Sequence, residues 1–340
     1  MAGQGKINFC TLFDSTYLTR ALAMYESLKR CCPSFHLYVF ALDDLVKVYF
    51  SDCQFEDITV ISEGDFQSPR LVEAKKHRNK AEYCWTCTPV ALEYAIDQFQ
   101  LDHCIYLDAD LYFFGDPTSI AMKLEENSIL ITPHNYLPRY DYSADCGIYC
   151  VQFIGFKNDE YGRRALGWWR DACLDWCYAR VEDGKFGDQK YLDDWPTRFQ
   201  GVCVIKSSGM GVAPWNVSGF GGVGAISDFC FYHFHGIEFF QGGVVRLAFH
   251  YEIPDWAVRD IYCVYLRHVE KIRNELPIEL REIGLSKAKG SASPWKWWTG
   301  PHLFLRGLIV GDYKSWGKIQ ETRRCYNVFR MSYATGRCQR

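Results

Sequence analysis

The sequence predicts an α/β fold, a mostly parallel sheet flanked by helices and followed by a helical C-terminal appendage. Three observations predict it. Short apolar runs alternate with amphipathic helical patterns through the first third of the 340 residues. Several of those runs stop at acids, where a parallel sheet places its ligands. Hydrophobic residues make up 48% and charged residues 23%, which excludes disordered and fibrous chains.

The elements follow in order. Ile7 to Phe13 is an apolar strand closed by Asp14-Ser15, and a helical stripe through Leu18, Leu22, Tyr25 and Leu28 runs on to Pro33. His36 to Leu42 and Ile58 to Ile61 are the next strands. Asn79 to Phe99 is helical, with a break or fresh first turn expected at Pro89. His103 to Leu107 is a buried strand that runs into Asp108-Ala109-Asp110. Ser128 to Thr132 and Gly147 to Phe156 are strands, and an amphipathic helix spans about Asp159 to Arg180. The loop Gly184 to Gly187 leads to Asp188-Gln189-Lys190 and a further helix, with Asp188 as a candidate N-cap. Phe229 to Phe234 is apolar and ends in His233-Phe234-His235-Gly236, and Asp260 to Glu275 is helical. A catalytic domain over 1–240 and a helical, basic-aromatic region over 241–340 are expected.

A net charge of −3 argues against a global nucleic-acid binder. The stretch from Arg306 to Arg340 departs from that balance. Its arginines and lysines interleave with aromatics, which suits either a solvated tail or peripheral contact with an anionic membrane. The 16 cysteines fall largely in apolar runs, where thiols pack as small hydrophobes. Cys84 and Cys87 have zinc-knuckle spacing, but no second pair follows. No signal-peptide core follows Lys6 and no apolar run reaches the roughly 20 residues of a membrane span. A reduced, cytoplasmic protein is expected, soluble or on the inner face of the plasma membrane.

The chemistry centres on Tyr106-Leu107-Asp108-Ala109-Asp110. Two carboxylates one residue apart, just past a buried strand, can share one hard cation that bridges to substrate phosphates. Without a cation, two buried acids repel each other and lose water. A phosphatase with an aspartyl nucleophile shares the Asp-x-Asp triplet, but its loop continues with small residues, where Leu111 and Tyr112 stand here. His233 and His235 are two residues apart, so on a strand both face one side. Either imidazole can complete a metal site.

These segments resemble the GT-A (Rossmann-like) nucleotide-sugar glycosyltransferases, and most closely glycosyltransferase family 8. The resemblance runs discontinuously from about Asn8 to Gly236. Phe13-Asp14-Ser15-Thr16-Tyr17 is similar to that family's first nucleotide loop, which implies uridine contacts from Asp14 and Tyr17, with Thr11 on the strand before them. Tyr106-Leu107-Asp108-Ala109-Asp110 resembles its metal motif, Gly187-Asp188-Gln189 its loop beside the reacting sugar, and Pro214-Trp215-Asn216 its Trp-Asn element. His233-Phe234-x-Gly236 resembles its His-Phe-x-Gly motif, whose histidine is a metal ligand. Two features depart from the family. Ile237-Glu238-Phe239 replaces a Lys-Pro-Trp whose lysine touches diphosphate, leaving Lys80 or Lys206 as substitutes, and Cys150-Val151-Gln152 replaces an Asn-x-Gly strand.

The resemblance implies a Mn²⁺- or Mg²⁺-dependent transferase. It would move a hexosyl or N-acetylhexosaminyl unit from a UDP-sugar to a glycan or lipid-linked acceptor, with retention, in surface polysaccharide synthesis. Asp188 and Gln189 would flank the sugar, and the loop from Pro133 to Asp145 would receive the acceptor. A sugar nucleotidyltransferase and a sugar-nucleotide-binding protein without transferase activity are the alternatives. The former normally carries a Gly-rich basic loop after its first strand, and Asp14-Ser15-Thr16-Tyr17 is neither.

Overall fold

A computed structural model describes residues 6–286 except 54, 208, 222–223, 242 and 249–250, together with strands Val328–Ser332 and Arg337–Gln339. The basic stretch from Arg306 lies outside the described residues apart from the backbone of those two strands.

Alternation along the strands builds two cores, one on each face of the central sheet. In β1 (Ile7–Phe13) and β2 (Phe35–Ala41), Phe9, Phe13, Leu37 and Val39 enter one core, while Cys10, Leu12, Tyr38 and Phe40 enter the other. In β4 (His103–Leu107), Ile105 and Leu107 face the first core, and Cys104 and Tyr106 the second. Burial on both faces is the signature of a parallel sheet with helices on either side.

With β3 (Ile58–Ser62), β6 (Ile129–Pro133), β7 (Tyr149–Lys157) and β8 (Val202–Val204), the strand order is β3-β2-β1-β4-β7-β6-β8. The run β3-β2-β1-β4 is parallel, β7 is antiparallel to β4 and β6, and β8 returns parallel to β6. Helix α1 (Leu18–Cys31) packs its buried face into the first core. Helices α2 (Lys80–Gln98) and α3 (Glu160–Asp175) pack into the second.

Three helical expectations are corrected. Pro89 breaks nothing: α2 runs through it, set by an Asn79–Glu82 capping box, and loses only the bond an N–H would have made one turn back. Helix α3 stops at Asp175 rather than near Arg180. There the Arg78 guanidinium takes the free carbonyls of Cys173 and Leu174, at 2.8 and 2.9 Å, and so caps the end. Between Asp188 and Phe199 no long helix forms. A 3₁₀ turn, Lys190–Leu192, precedes the single turn Trp195–Arg198, and Asp188 caps neither.

The C-terminal region has its expected helix, α4 (Cys263–Glu275), whose Tyr265, Leu266 and Val269 join the core beneath α1. It also holds strands, which join one from just before residue 241. β10 (Glu238–Phe240), β11 (Val244–Arg246) and β12 (Leu285–Ser286) form a second sheet with β13 (Val328–Ser332) and β14 (Arg337–Gln339). The turn between β10 and β11 contains Gly243 at φ 73°, which permits the antiparallel pairing. No helix among the described residues is long and apolar enough to cross a membrane.

Candidate active site

The site starts where β4 leaves the sheet. Asp108 N–H donates to the Gln152 carbonyl at 3.0 Å and Leu111 N–H donates back to the Asp108 carbonyl at 3.2 Å, which closes a tight turn over Ala109. The chain then forms β5 (Leu111–Phe113), which pairs antiparallel with β9 (Phe231–His233) so that Leu111 faces His233. His233 N–H is held by the Val212 carbonyl (2.8 Å), and Phe234 N–H by the Asp110 carbonyl (3.0 Å). A residue 123 positions later is thereby fixed beside the acid pair.

His233 Nε2 lies 3.1 Å from Asp110 Oδ1 and 3.6 Å from Asp108 Oδ2. Ligand-capable atoms of Asp108, Asp110 and His233 all fall within 4.8 Å of one another. His235 is displaced from this triad. β9 ends at His233, so His235 sits in the following turn, 5.5 Å away between ring centroids, rather than on the same strand face.

The charges oppose one another. Burial pushes the Asp108 carboxyl up to about 6, with repulsion by Asp110 adding and His233 opposing, although 29% of its side chain still faces the cleft. Burial also penalises Asp110, but His233 outweighs it and holds that acid below its ordinary range. Burial disfavours the charged form of His233, and Asp110 overrides it and holds the imidazole protonated well above its usual range. His235 opens to the cleft yet lies among protein atoms, and that desolvation, with His233 nearby, pushes it down to about 4. The donor set suits a divalent cation, with two hard carboxylates and an imidazole held together in this geometry by a proton. Beside the acids, the His233 ring meets the edge of Trp215 at 5.6 Å between ring centres.

The triad lies on the floor of a cleft of about 670 Å³, a size suited to a small ligand. Of the residues expected from sequence, Asp14, Tyr17, Lys80, Asp108, Ala109, Asp110, Asp188, Gln189, Trp215, His233, His235 and Gly236 line it. Asp14 is bonded by Thr16 and by Lys80 Nζ (2.9 Å), which together outweigh burial and keep its pKa low. Asp188 is driven well above the carboxylate range by burial and then by Asp108. Its carbonyl accepts Trp169 Nε1–H at 2.9 Å, while Gln189 Nε2 donates to the Cys146 carbonyl at 2.7 Å. Gly187 enters this loop at φ 53°, with its Cβ position 3.3 Å from the Trp85 ring.

Two expected residues do not reach the cleft. Thr11 is fully buried in β1, its hydroxyl without a partner. Asn216 stands inside the wall. It accepts from Ala213 N–H (2.9 Å) and donates to the carbonyls of His134 (3.0 Å) and Gly211 (2.9 Å). Lys206 is exposed and outside the lining, which leaves Lys80 as the substitute cation within reach.

The Pro133–Asp145 loop supplies His134, Tyr136 and Tyr142 to the cleft. His134 stacks on Tyr136 at 4.5 Å and 11°, and Trp215 meets both rings while its Nε1–H donates to the His134 carbonyl at 2.7 Å. Trp85, Phe186 and Tyr251 also line the cleft, and sequence reasoning missed them. Trp85 carries a signal in hindsight: it lies one turn beyond Lys80 on the same helix. Tyr251 carries none, since only the tertiary fold brings it to Trp215.

No protein-family model matches the chain. The uncharacterized protein YfnD of Bacillus subtilis (strain 168) is 29% identical over 286 residues, covering 79% of this chain and 92% of that protein. YfnF of the same organism is 28% identical over 216 residues, covering 61% of this chain and 71% of that one. Among solved structures, a galactosyltransferase, LgtC, in complex with donor and acceptor sugar analogs overlays with a TM-score of 0.54. That match has 13% identity and covers 81% of this chain and 99% of LgtC. The fold is therefore the GT-A arrangement that the sequence resemblance implied.

Proposed function

We propose that this chain is a metal-dependent glycosyltransferase that passes a hexosyl or N-acetylhexosaminyl unit from a UDP-sugar to a glycan or lipid-linked acceptor. One observation carries the reading: Asp108, Asp110 and His233 converge on the floor of a cleft wide enough for a nucleotide sugar. The shared fold with LgtC, a galactosyltransferase crystallised with donor and acceptor sugar analogs, supports it.

A bound Mn²⁺ or Mg²⁺ would neutralise charge on the departing diphosphate. Asp108, Asp110 and His233 would hold it, His233 exchanging its proton for the metal. Asp14 and Tyr17 would receive the uridine, with Lys80 beside them and with Ala109 and Gly236 leaving backbone room for the phosphates. Asp188 and Gln189 would stand beside the sugar. With its carboxyl protonated, Asp188 can donate to a sugar hydroxyl, and neutralising Asp108 would return it toward the carboxylate. The rings of Tyr136, Tyr142, Trp215 and Tyr251 offer apolar faces against which an acceptor sugar can stack. Retention of configuration, a role in surface polysaccharide assembly and work at the inner face of the plasma membrane belong to the same proposal. They rest on the family 8 resemblance and the basic tail.

A thermal-shift panel of nucleotide sugars with and without Mn²⁺ tests the reading. UDP-sugars should raise the melting temperature only when Mn²⁺ is present, and the stabilising donor should then be hydrolysed slowly. Stabilisation without any turnover would leave a binding protein. No stabilisation by any nucleotide sugar would remove the transferase reading.

A further inference from the structure

Arg20, in the first turn of α1, is a buried cation that the proposed reaction has not used. It is 6% exposed, and among the described residues it has no ion-pair partner. Its Nη1 donates to the Thr16 carbonyl at 3.0 Å and its Nη2 to the Ile237 carbonyl at 3.3 Å, while Nε has no acceptor. The guanidinium lies 4.5 Å from the Tyr17 ring centre and 5.0 Å from that of Phe239. Burying a guanidinium without a carboxylate is costly, which marks this position as one to be explained.

The surroundings show what it does. Thr16 belongs to the loop that carries Asp14 and Tyr17. Ile237 follows Gly236, on the segment that carries His233 and His235. One side chain therefore ties together two segments, at Thr16 and Ile237, that both border the cleft. Its charge also reaches Asp110 and the Tyr17 hydroxyl. The cleft is lined by Asp14, Asp108, Asp110 and Asp188 against one lysine, Lys80, which Asp14 already holds. With Asp188 kept neutral by burial, a bound divalent cation and Lys80 would only balance Asp14, Asp108 and Asp110. The charge that a diphosphate brings is left to Arg20, the buried positive charge whose field reaches Asp110.

We propose that Arg20 is a positioning residue for the donor diphosphate: its fork fixes the Thr16 and Ile237 segments and the Tyr17 ring, and its charge offsets the acidic cleft when diphosphate binds. The inference rests on the transferase reading of the same cleft.

The two roles of Arg20 predict effects of opposite sign, which a merely structural residue would not produce. In Arg20→Met the full chain should bind free Mn²⁺ several-fold more tightly, since a positive charge near Asp110 is gone. It should bind UDP in saturating Mn²⁺ roughly tenfold more weakly. Arg20→Lys keeps the charge and loses the fork. Its Mn²⁺ affinity should match the parent chain, with UDP binding weakened only a few-fold. Both affinities are read by calorimetry, with circular dichroism confirming that each variant folds. If Arg20→Met weakens Mn²⁺ and UDP together, or alters neither, the proposal falls while the transferase reading stands. If the parent chain itself binds no UDP in Mn²⁺, both fall. Should Arg20→Met fail to fold, Arg20→Lys decides alone: UDP binding equal to the parent's overturns the proposal.

Discussion

On the floor of the cleft, Asp108, Asp110 and His233 bring three ionisable groups within 4.8 Å of one another, where burial and the charge on the neighbours together set their protonation. Along the wall, His134, Tyr136, Trp215 and Tyr251 meet through ring faces and edges. The floor is a strongly coupled unit in which removing one group changes what remains. The wall is cumulative, so losing one ring leaves most of the surface in place. Chemistry is expected to fail sharply at the first and gradually at the second.

The largest contrast should come from Asp110→Asn, which keeps shape and removes one charge. Mn²⁺ affinity measured by calorimetry should fall about a hundredfold or more, and donor hydrolysis should disappear with it. Next is Asn216→Ala, at the joint between floor and wall. It strips partners from Ala213 N–H and from the carbonyls of His134 and Gly211, so denaturant unfolding should show a loss of about 2–4 kcal/mol. A loss under about 0.5 kcal/mol would mean the joint is not held there.

Acidity should act on the floor alone. Two protons must leave for a cation to bind, one from His233, held well above its usual range, and one from the Asp108 carboxyl, raised to about 6. Affinity therefore climbs with pH through neutrality and falls more steeply below about 6. Mn²⁺ binding that is flat from pH 7.5 to 5 would contradict the assignment. In Tyr136→Leu, the smallest change, the acceptor KM should rise about fivefold while donor hydrolysis is unchanged, since one ring contact is worth about 1 kcal/mol. A matching loss of Mn²⁺ affinity would show that wall and floor are not separate.

The floor was legible in the sequence for a local reason. An apolar strand followed by Asp-x-Asp places both acids by neighbouring backbone alone, and His233 joins through an apolar run that pairs as β9. His235 was misplaced because the strand ends two residues before it, where Gly236 at φ 74° turns the chain. Asn216 carried a motif signal but no direction. A side chain that satisfies three buried backbone groups looks the same in sequence as one that touches a ligand. The end of α3 depended on Arg78, nearly a hundred residues away, and Tyr251 on the packing of Trp215. No local pattern encodes either.

The central claim is that the two acids and His233 hold a cation that in turn holds diphosphate. Titrating UDP into the full chain, with and without saturating Mn²⁺ and again in Asp110→Asn, tests it most directly. Binding that appears only with Mn²⁺ and vanishes in the variant is the predicted result. Equal binding without metal, or undiminished binding in Asp110→Asn, would contradict it.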